Sequence, residues 1–199
     1  GCPAASGAVA GHTGDRSVLA FIHPRDEGVD VTERAPTKVE NLDRYGTDPL
    51  DWTRARDGLA AGPGVSFLST TRPDGRPHAA SVGAVWIDGD LYFTSNAETQ
   101  KSRNLAANPA AAFAVQIEGM DLILNGTVER VTDPATLETV AAAYRNGGWP
   151  AEVEGDAFTA PFSAPSAGPP PWNLYRFTYD SVVGVGTTEP FGATRWRFS

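Results

Sequence analysis

The stretch from Val65 to Pro109, VSFLSTTRPDGRPHAASVGAVWIDGDLYFTSNAETQKSRNLAANP, decides the fold. Val65–Arg72 is rich in β-branched and aromatic residues, the composition of a strand. Pro73-Asp74-Gly75-Arg76 reads as a turn. Pro77–Ile87 reads as a second strand, and Asp88-Gly89-Asp90 as a hairpin, because Asp-Gly readily reaches the positive φ angles of a tight turn. Leu91–Ser95 is a third strand, so two successive hairpins predict an antiparallel meander. The period then switches, and Asn96–Asn108 reads as a helix closed by Pro109.

Upstream, Thr47-Asp48-Pro49 is a helix-start signal, with Leu50, Trp52, Ala55 and Leu59 on one face and Gly62-Pro63-Gly64 as the stop. Downstream, Ala111–Ile117 and Asp121–Val131 read as strands joined by a Glu118-Gly119-Met120 turn. Asp133-Pro134 opens a helix through Tyr144 that carries Leu137, Val140, Ala141 and Tyr144 on one side. Residues 147–171 are loop-rich, with Pro169-Pro170-Pro171 as a stiff spacer. Leu174–Thr187 and Ala193–Phe198 read as closing strands. Six or seven strands with two or three helices predict a small, barrel-like α+β domain over residues 38–199. Gly1–Thr37 shows no apolar period and reads as a partly ordered arm.

Composition narrows the function. The chain has 199 residues, 41% hydrophobic and 20% charged, as a globular protein requires. Glycine and proline are frequent, at 21 and 16, which favours short strands and turns. A net charge of −8 argues against nucleic acid as the main partner, because phosphate backbones need a basic face. The single cysteine, Cys2, excludes disulfides within the chain and cysteine-rich zinc sites, and His12, His23 and His78 are too dispersed for a local metal motif. No metal is expected. No run of about 18 apolar residues spans a membrane. Gly1-Cys2 fits the remnant of a lipoprotein cleavage site or an ordinary N-terminus, and with no intact signal peptide visible the expected location is the cytoplasm.

Several motifs fail. No Gly-x-Gly-x-x-Gly opens a helix after a strand; Gly184-Val185-Gly186 lies inside a late strand, where glycines mark a bend. Ser81 in Ala79-Ala80-Ser81-Val82-Gly83 sits mid-strand and not on a nucleophile elbow. Asn125-Gly126-Thr127 is read as a bend in a strand. His78 follows a turn and is expected at the surface. The chemistry gathers instead in Thr94–Asn104, TSNAETQKSRN. A helix start offers free N–H groups and a positive dipole end, Thr94, Ser95 and Thr99 add hydroxyls, and Lys101 and Arg103 add charge. The stretch fits either an anion site suited to phosphate or an ordinary helix start with a solvated lysine.

The order strand, PDGRPHAASVGAVW, Asp-Gly hairpin, LYFTS and KSRNLAANP resembles the pyridoxamine 5′-phosphate oxidase-like split β-barrel family, in particular its flavin/deazaflavin-dependent oxidoreductases. The resemblance runs from Arg44 to Phe198 and is most specific at Arg72–His78, Val85-Trp86, Lys101-x-Arg103-Asn104-Leu105 and Asn108-Pro109. It implies an α+β, mainly antiparallel split barrel. It implies a homodimer that binds FMN or the 8-hydroxy-5-deazaflavin coenzyme F-420, with Ala111–Ile117 offering surface to bury. Lys101 matches the lysine that meets the cofactor phosphate. Thr94, Ser95, Thr99 and Gln100 match the surrounding strand end and loop, and Ala80, Ser81 and Val82 match the strand along the isoalloxazine ring.

The implied activity is hydride transfer between the reduced cofactor and an organic small molecule. The alternative is a flavin-, deazaflavin- or haem-binding carrier or sensor without turnover. Ala80 and Val85 stand where the true oxidase has an arginine and a lysine, so pyridoxamine phosphate is not the expected substrate. Asp121 stands where the oxidase has a glutamine near the ring. Trp86 and Trp172 are pocket or core residues, and Arg195 is either a substrate-phosphate ligand or a structural partner of a carboxylate. No catalytic acid or base is assigned.

Overall fold

The computed structural model describes residues 34–62, 65–164 and 167–199. The strands are β1 (Lys38–Asn41), β2 (Val65–Thr71), β3 (Pro77–Ser81), β4 (Ala84–Ile87), β5 (Asp90–Ser95), β6 (Ala110–Ile117), β7 (Met120–Val131), β8 (Glu152–Glu154), β9 (Ala157–Thr159), β10 (Asn173–Gly186) and β11 (Gly192–Arg197). The helices are α1 (Trp52–Ala60), α2 (Gln100–Ala107) and α3 (Pro134–Asn146). The main sheet runs β1-β11-β10-β7-β6-β2-β3, with β5 on β10 and β4 on β5. Every pairing in it is antiparallel.

The sheet forks on β10. Its first part pairs with β5, from Asn173↔Ser95 to Phe177↔Leu91. Its second part pairs with β11, from Ser181↔Arg197 to Gly186↔Gly192. β7 follows the other edge throughout. A register shift between Tyr179 and Ser181 marks the fork and bends the strand. Gly126 lies opposite: a Cβ there would run into the Thr178 carbonyl oxygen and sit 2.6 Å from Tyr179 Cα. The bend read from Asn125-Gly126-Thr127 is this close backbone approach.

Alternation fills the barrel. Met120, Leu122, Leu124 and Val128 point inward from β7 and meet Leu68, Phe93, Phe113, Phe177 and Trp196. α1 closes one end with Trp52, Ala55 and Leu59, and Trp52 packs edge-on against Phe198 at 4.8 Å. A second cluster joins Leu137, Val140, Ala141 and Tyr144 of α3 to Trp149, Phe158, Trp172 and Leu174. Gly184 is small because Trp196 lies 2.7 Å from where a Cβ would stand.

Several expectations need correction. The strand expected over Pro77–Ile87 is two strands. Val82 and Gly83 interrupt it, β3 pairs with β2, β4 pairs with β5, and the expected continuous meander is broken there. α1 begins at Trp52 and is capped by Asp51, which accepts from Thr53 N at 2.9 Å; Thr47-Asp48-Pro49 lies before the helix, outside it. α2 begins at Gln100, four residues late, because Thr99 and not Asn96 is its cap. The 147–171 stretch, expected as loop, contains the short β8–β9 hairpin.

β1 was not expected. It is mostly exposed and survives by pairing with β11, from Lys38↔Arg197 to Asn41↔Thr194. Residues 34–37, assigned to the arm, lie on the barrel. The Arg34 guanidinium sits 4.7 Å from the Tyr179 ring centre and 3.8 Å from Asp90, and Thr37 N donates to Arg197 O at 2.8 Å. The rest of the arm, with Cys2, His12 and His23, lies outside the described residues, as do Pro63 and Gly64 of the helix stop.

Candidate functional site

The site is built where the chain leaves the β2 end of the sheet for the β5 branch of the fork. β3 ends at Ser81 on the β2 side, and β4 starts at Ala84 on the β5 side. The Val82 amide still donates to Ser66 O at 3.1 Å, and the Val82 side chain enters the core. The Gly83 carbonyl accepts from the Tyr144 hydroxyl at 3.2 Å, which also reaches Tyr92 O at 3.4 Å. That phenol is buried, and burial pushes its pKa well up, the Thr94 hydroxyl partly offsetting the shift. α3 thus pins the break through Tyr144, which sequence reading placed on the helix's apolar face but not at the site.

The end of β5 and the start of α2 form the second wall. Ser95 Oγ lies 2.7 Å from Thr99 Oγ1, Thr99 Oγ1 donates to Ser102 Oγ at 3.0 Å, and Ser102 Oγ donates back to Ser95 Oγ at 3.0 Å. Thr99 also caps the helix by accepting from Ser102 N. Gly168 packs against Asn96 and Thr99, and Asn96 Nδ2 donates to Pro169 O at 2.8 Å. The loop before β10 therefore clamps this turn.

Lys101 decides between the two readings of the helix start. Its side chain is 3% exposed, so the solvated-lysine reading fails. Burial pulls its pKa below the ordinary lysine value. An ammonium in such a place gains from an anion beside it. Gln100 Nε2 donates to Asn104 Oδ1 at 2.7 Å, and Asn104 Nδ2 donates to Thr70 Oγ1 at 2.9 Å, which fastens α2 to β2. Arg103 is exposed and turned back on its own helix, bonded to the Glu98 carbonyl and to Gln100 Oε1. It adds no charge to the buried face.

The expected residues are thus brought together in part. Ser95, Thr99 and Lys101 share one wall with Ser102 and Asn104, and Gln100 is tied into it. Thr94 is half-buried at the same strand end, opposite Leu174. Ala80 faces inward and pairs with Leu68, while Ser81 faces outward and pairs with Phe67. His78 is not the surface residue expected: it is half-buried opposite Thr70, on Ala80's face. Trp86 is half-buried and stacks on Tyr179 at 5.8 Å. Trp172 is 2% exposed in the second core cluster, with Nε1 donating to Gly168 O. Arg195 lies on β11, 3.5 Å from Glu40, so it has the structural carboxylate partner that was one of its two readings. The spacing Gln100/Lys101 to Asn104 is the signal that would have marked Asn104, since residues three and four apart share a helix face.

The donor set fits a phosphate group: a buried ammonium, hydroxyls and a helix start on one wall. Among the described residues no group of three or more His, Cys, Asp or Glu side chains is placed to hold a metal, and no helix is long and apolar enough to cross a membrane.

Comparison with known proteins identifies the lineage. The sequence profile of the pyridoxamine 5′-phosphate oxidase family matches residues 53–180, from α1 into the fork of β10. The chain belongs to the pyridoxamine 5′-phosphate oxidase family. A relative from Acidothermus cellulolyticus, named pyridoxine/pyridoxamine 5′-phosphate oxidase, is 27% identical over 150 residues. That match covers 71% of this chain and 63% of the relative's length. A conserved hypothetical protein from Mycobacterium tuberculosis shares the fold with a TM-score of 0.54 at 18% identity, over 73% of this chain and 89% of that one. A haem-binding protein from Mycobacterium smegmatis gives the same TM-score of 0.54 and 18% identity, over 73% of this chain and 58% of that one. The α+β split barrel of this family is the fold described above.

Proposed function

We propose that this family member is an oxidoreductase that binds FMN or the deazaflavin F-420 and moves a hydride between the reduced cofactor and an organic small molecule. The observation that carries the reading is Lys101, a buried cation in the first turn of α2, on the helix whose start carries the Ser95–Thr99–Ser102 hydroxyls. In this reading Lys101 holds the cofactor phosphate, with Ser95, Thr99 and Gln100 around it. The backbone of Ala80, Ser81 and Val82 lies along the ring, and Thr94 flanks it. When bound, the ring supplies the hydride chemistry; the chain binds it, orients it and tunes it. Trp86, at the edge of the core, is the pocket residue of this reading; Trp172 supports it from the core. Ala80 and Val85 bring no cations, so pyridoxamine phosphate is not the proposed substrate.

The proposed active unit is a homodimer. One row of register partners crosses the outer face of the sheet as Phe67, Ala114, Ile123 and Val183. Phe67 is 46% exposed and Ile123 42%, an apolar strip suited to a second copy. The row continues to Ser81 at one end and to the Arg195–Glu40 pair at the other. An interface of this kind buries more than about 1,000 Å² in total. A monomer in sedimentation at micromolar concentration, with cofactor bound, excludes it.

Fluorescence titration tests the cofactor site. A charge-assisted contact is worth about 1.5–3 kcal/mol, so Lys101→Ala should weaken FMN or F-420 binding roughly ten- to a hundredfold. Unchanged affinity for both refutes the site. Steady oxidation of the reduced cofactor by an added acceptor identifies an enzyme, and binding without turnover identifies a carrier or sensor.

A further inference from the structure

His78 occupies a place that the cofactor reading does not use. In β3 it opposes Thr70 of β2, and both side chains face α2. Thr70 Oγ1 lies 3.4 Å from His78 Nδ1 and 3.4 Å from the His78 carbonyl. The same hydroxyl accepts from Asn104 Nδ2 at 2.9 Å. Asn104 and Lys101 are three residues apart, both buried, on one face of α2. The imidazole is therefore joined to the lysine's helix face through one threonine. Since Nδ1 meets Thr70, Nε2 is the nitrogen open to a ligand.

The charges around the ring are cationic. Burial, Arg72 and then Lys101 hold its pKa below the ordinary histidine value. Arg72 comes from the end of β2 and Lys101 from α2. On the ring's own hairpin, Asp74 is engaged by Arg76 at 2.6 Å. Glu98 and Arg103 lie on the exposed side of the α2 turn. Burial and then two cations disfavour an imidazolium, so near neutral pH the ring of the free protein is neutral. A phosphate between the same groups reverses the balance, because its negative charge favours the protonated ring. Thr70 serves either state. It donates to Nδ1 of the neutral ring, or accepts from the charged ring and turns its proton to the His78 carbonyl.

We propose that His78, as an imidazolium, binds the phosphate of the cofactor jointly with Lys101, so that the site takes up a proton with its ligand. The proposal rests on the reading that Lys101 meets that phosphate. Affinity then rises as pH falls between the ring's pKa in the complex and its lower pKa in the free protein. The slope approaches about tenfold per pH unit, as for any single linked proton. The second ionisation of a phosphate monoester near pH 6 opposes this at the acid end. It is common to all variants and cancels in their ratio.

The test is a fluorescence titration of wild type, His78→Gln and Lys101→Ala with FMN, F-420 and riboflavin, which lacks the phosphate, from about pH 6 to pH 8.5. Wild type should bind a phosphate-bearing cofactor about tenfold more tightly at pH 6.5 than at pH 8. His78→Gln should lose most of that gain and match wild type at the alkaline end, and riboflavin should show no such gain with either. An equal pH slope in His78→Gln and wild type, with Lys101→Ala weakened, overturns the role of His78 alone. Unweakened binding by Lys101→Ala overturns the phosphate reading beneath it. A second readout needs no cofactor: the His78 proton resonance, assigned by its loss in His78→Gln, should titrate at higher pH when inorganic phosphate is added. No change at phosphate concentrations that shift Lys101 resonances counts against the proposal.

Discussion

Replacing Lys101 with methionine should make the empty protein more stable and the loaded protein weaker. Methionine follows the same unbranched path through the site without the charge. Lys101 is 3% exposed, and burial is the cause that lowers its pKa, so the environment as a whole disfavours the ammonium. Exchanging a buried charge for an apolar side chain of similar volume removes a desolvation penalty on the order of several kcal/mol, of which the lost contacts of the charge take back part. At roughly 2–4 °C per kcal/mol for a domain of this size, a gain of about 1–2 kcal/mol raises Tm by about 2–8 °C. The sign with pH follows from linkage. Below the ordinary lysine pKa of 10.5 but above the lowered one, the unfolded chain holds more protons than the folded chain. Wild-type stability therefore rises with pH through that window, and the gap to Lys101→Met narrows. Scanning calorimetry of the cofactor-free protein at two pH values measures both effects. Saturating FMN or F-420 should reverse the order, because ligand adds RT ln(1 + [L]/Kd) to whichever form binds it. A Tm several degrees below wild type in the cofactor-free variant would refute the reasoning, since the contacts of the ammonium would then outweigh the cost of burying it.

Further outcomes follow from the packing. Gly126→Ala should destabilise the barrel by about 3 kcal/mol or more, read as a lower urea midpoint, because its Cβ collides with the Thr178 carbonyl at the fork. Tyr144→Phe should cost about 1 kcal/mol in the same assay by removing the donor to the Gly83 carbonyl. If Gly83 is held in place by that bond, bound cofactor should also show an altered absorption spectrum. Arg34→Ala should cost about 0.5–2 kcal/mol through the lost contact with the Tyr179 ring, and removing residues 1–33 should cost less than removing residues 1–37. Tyr179, whose pKa is pushed up to about 12 chiefly by burial, should stay un-ionised in mildly alkaline solution in either variant, as ultraviolet titration would show.

Local chemistry made much of this protein legible from its residues. Asp88-Gly89 announced its hairpin, since Asp88 and Gly89 both take positive φ, at 51° and 87°. Asp133-Pro134 announced α3, and the spacing of Leu137, Val140, Ala141 and Tyr144 announced its buried face. Lys101, in its run of hydroxyls and on a family-like motif, was legible as a candidate. Burial was not, because side-chain exposure is set by what packs above the helix. Tertiary structure alone decided the rest. The break at Val82–Gly83 carries no strong local signal; it exists because β2 and β5 claim successive parts of one extended run. β1 has no inward apolar row and forms only because β11, some 150 residues later, offers a free edge. Trp172 read more readily as core than as pocket and Arg195 equally as ligand or scaffold; only the fold set Trp172 Nε1 on Gly168 O and Arg195 beside Glu40. His78 looked like a turn residue until its strand register set it opposite Thr70 and under α2. A turn or a cap is written in adjacent residues whose dihedral preferences act together, whereas register and burial depend on contacts between segments far apart in the chain, which no local preference encodes.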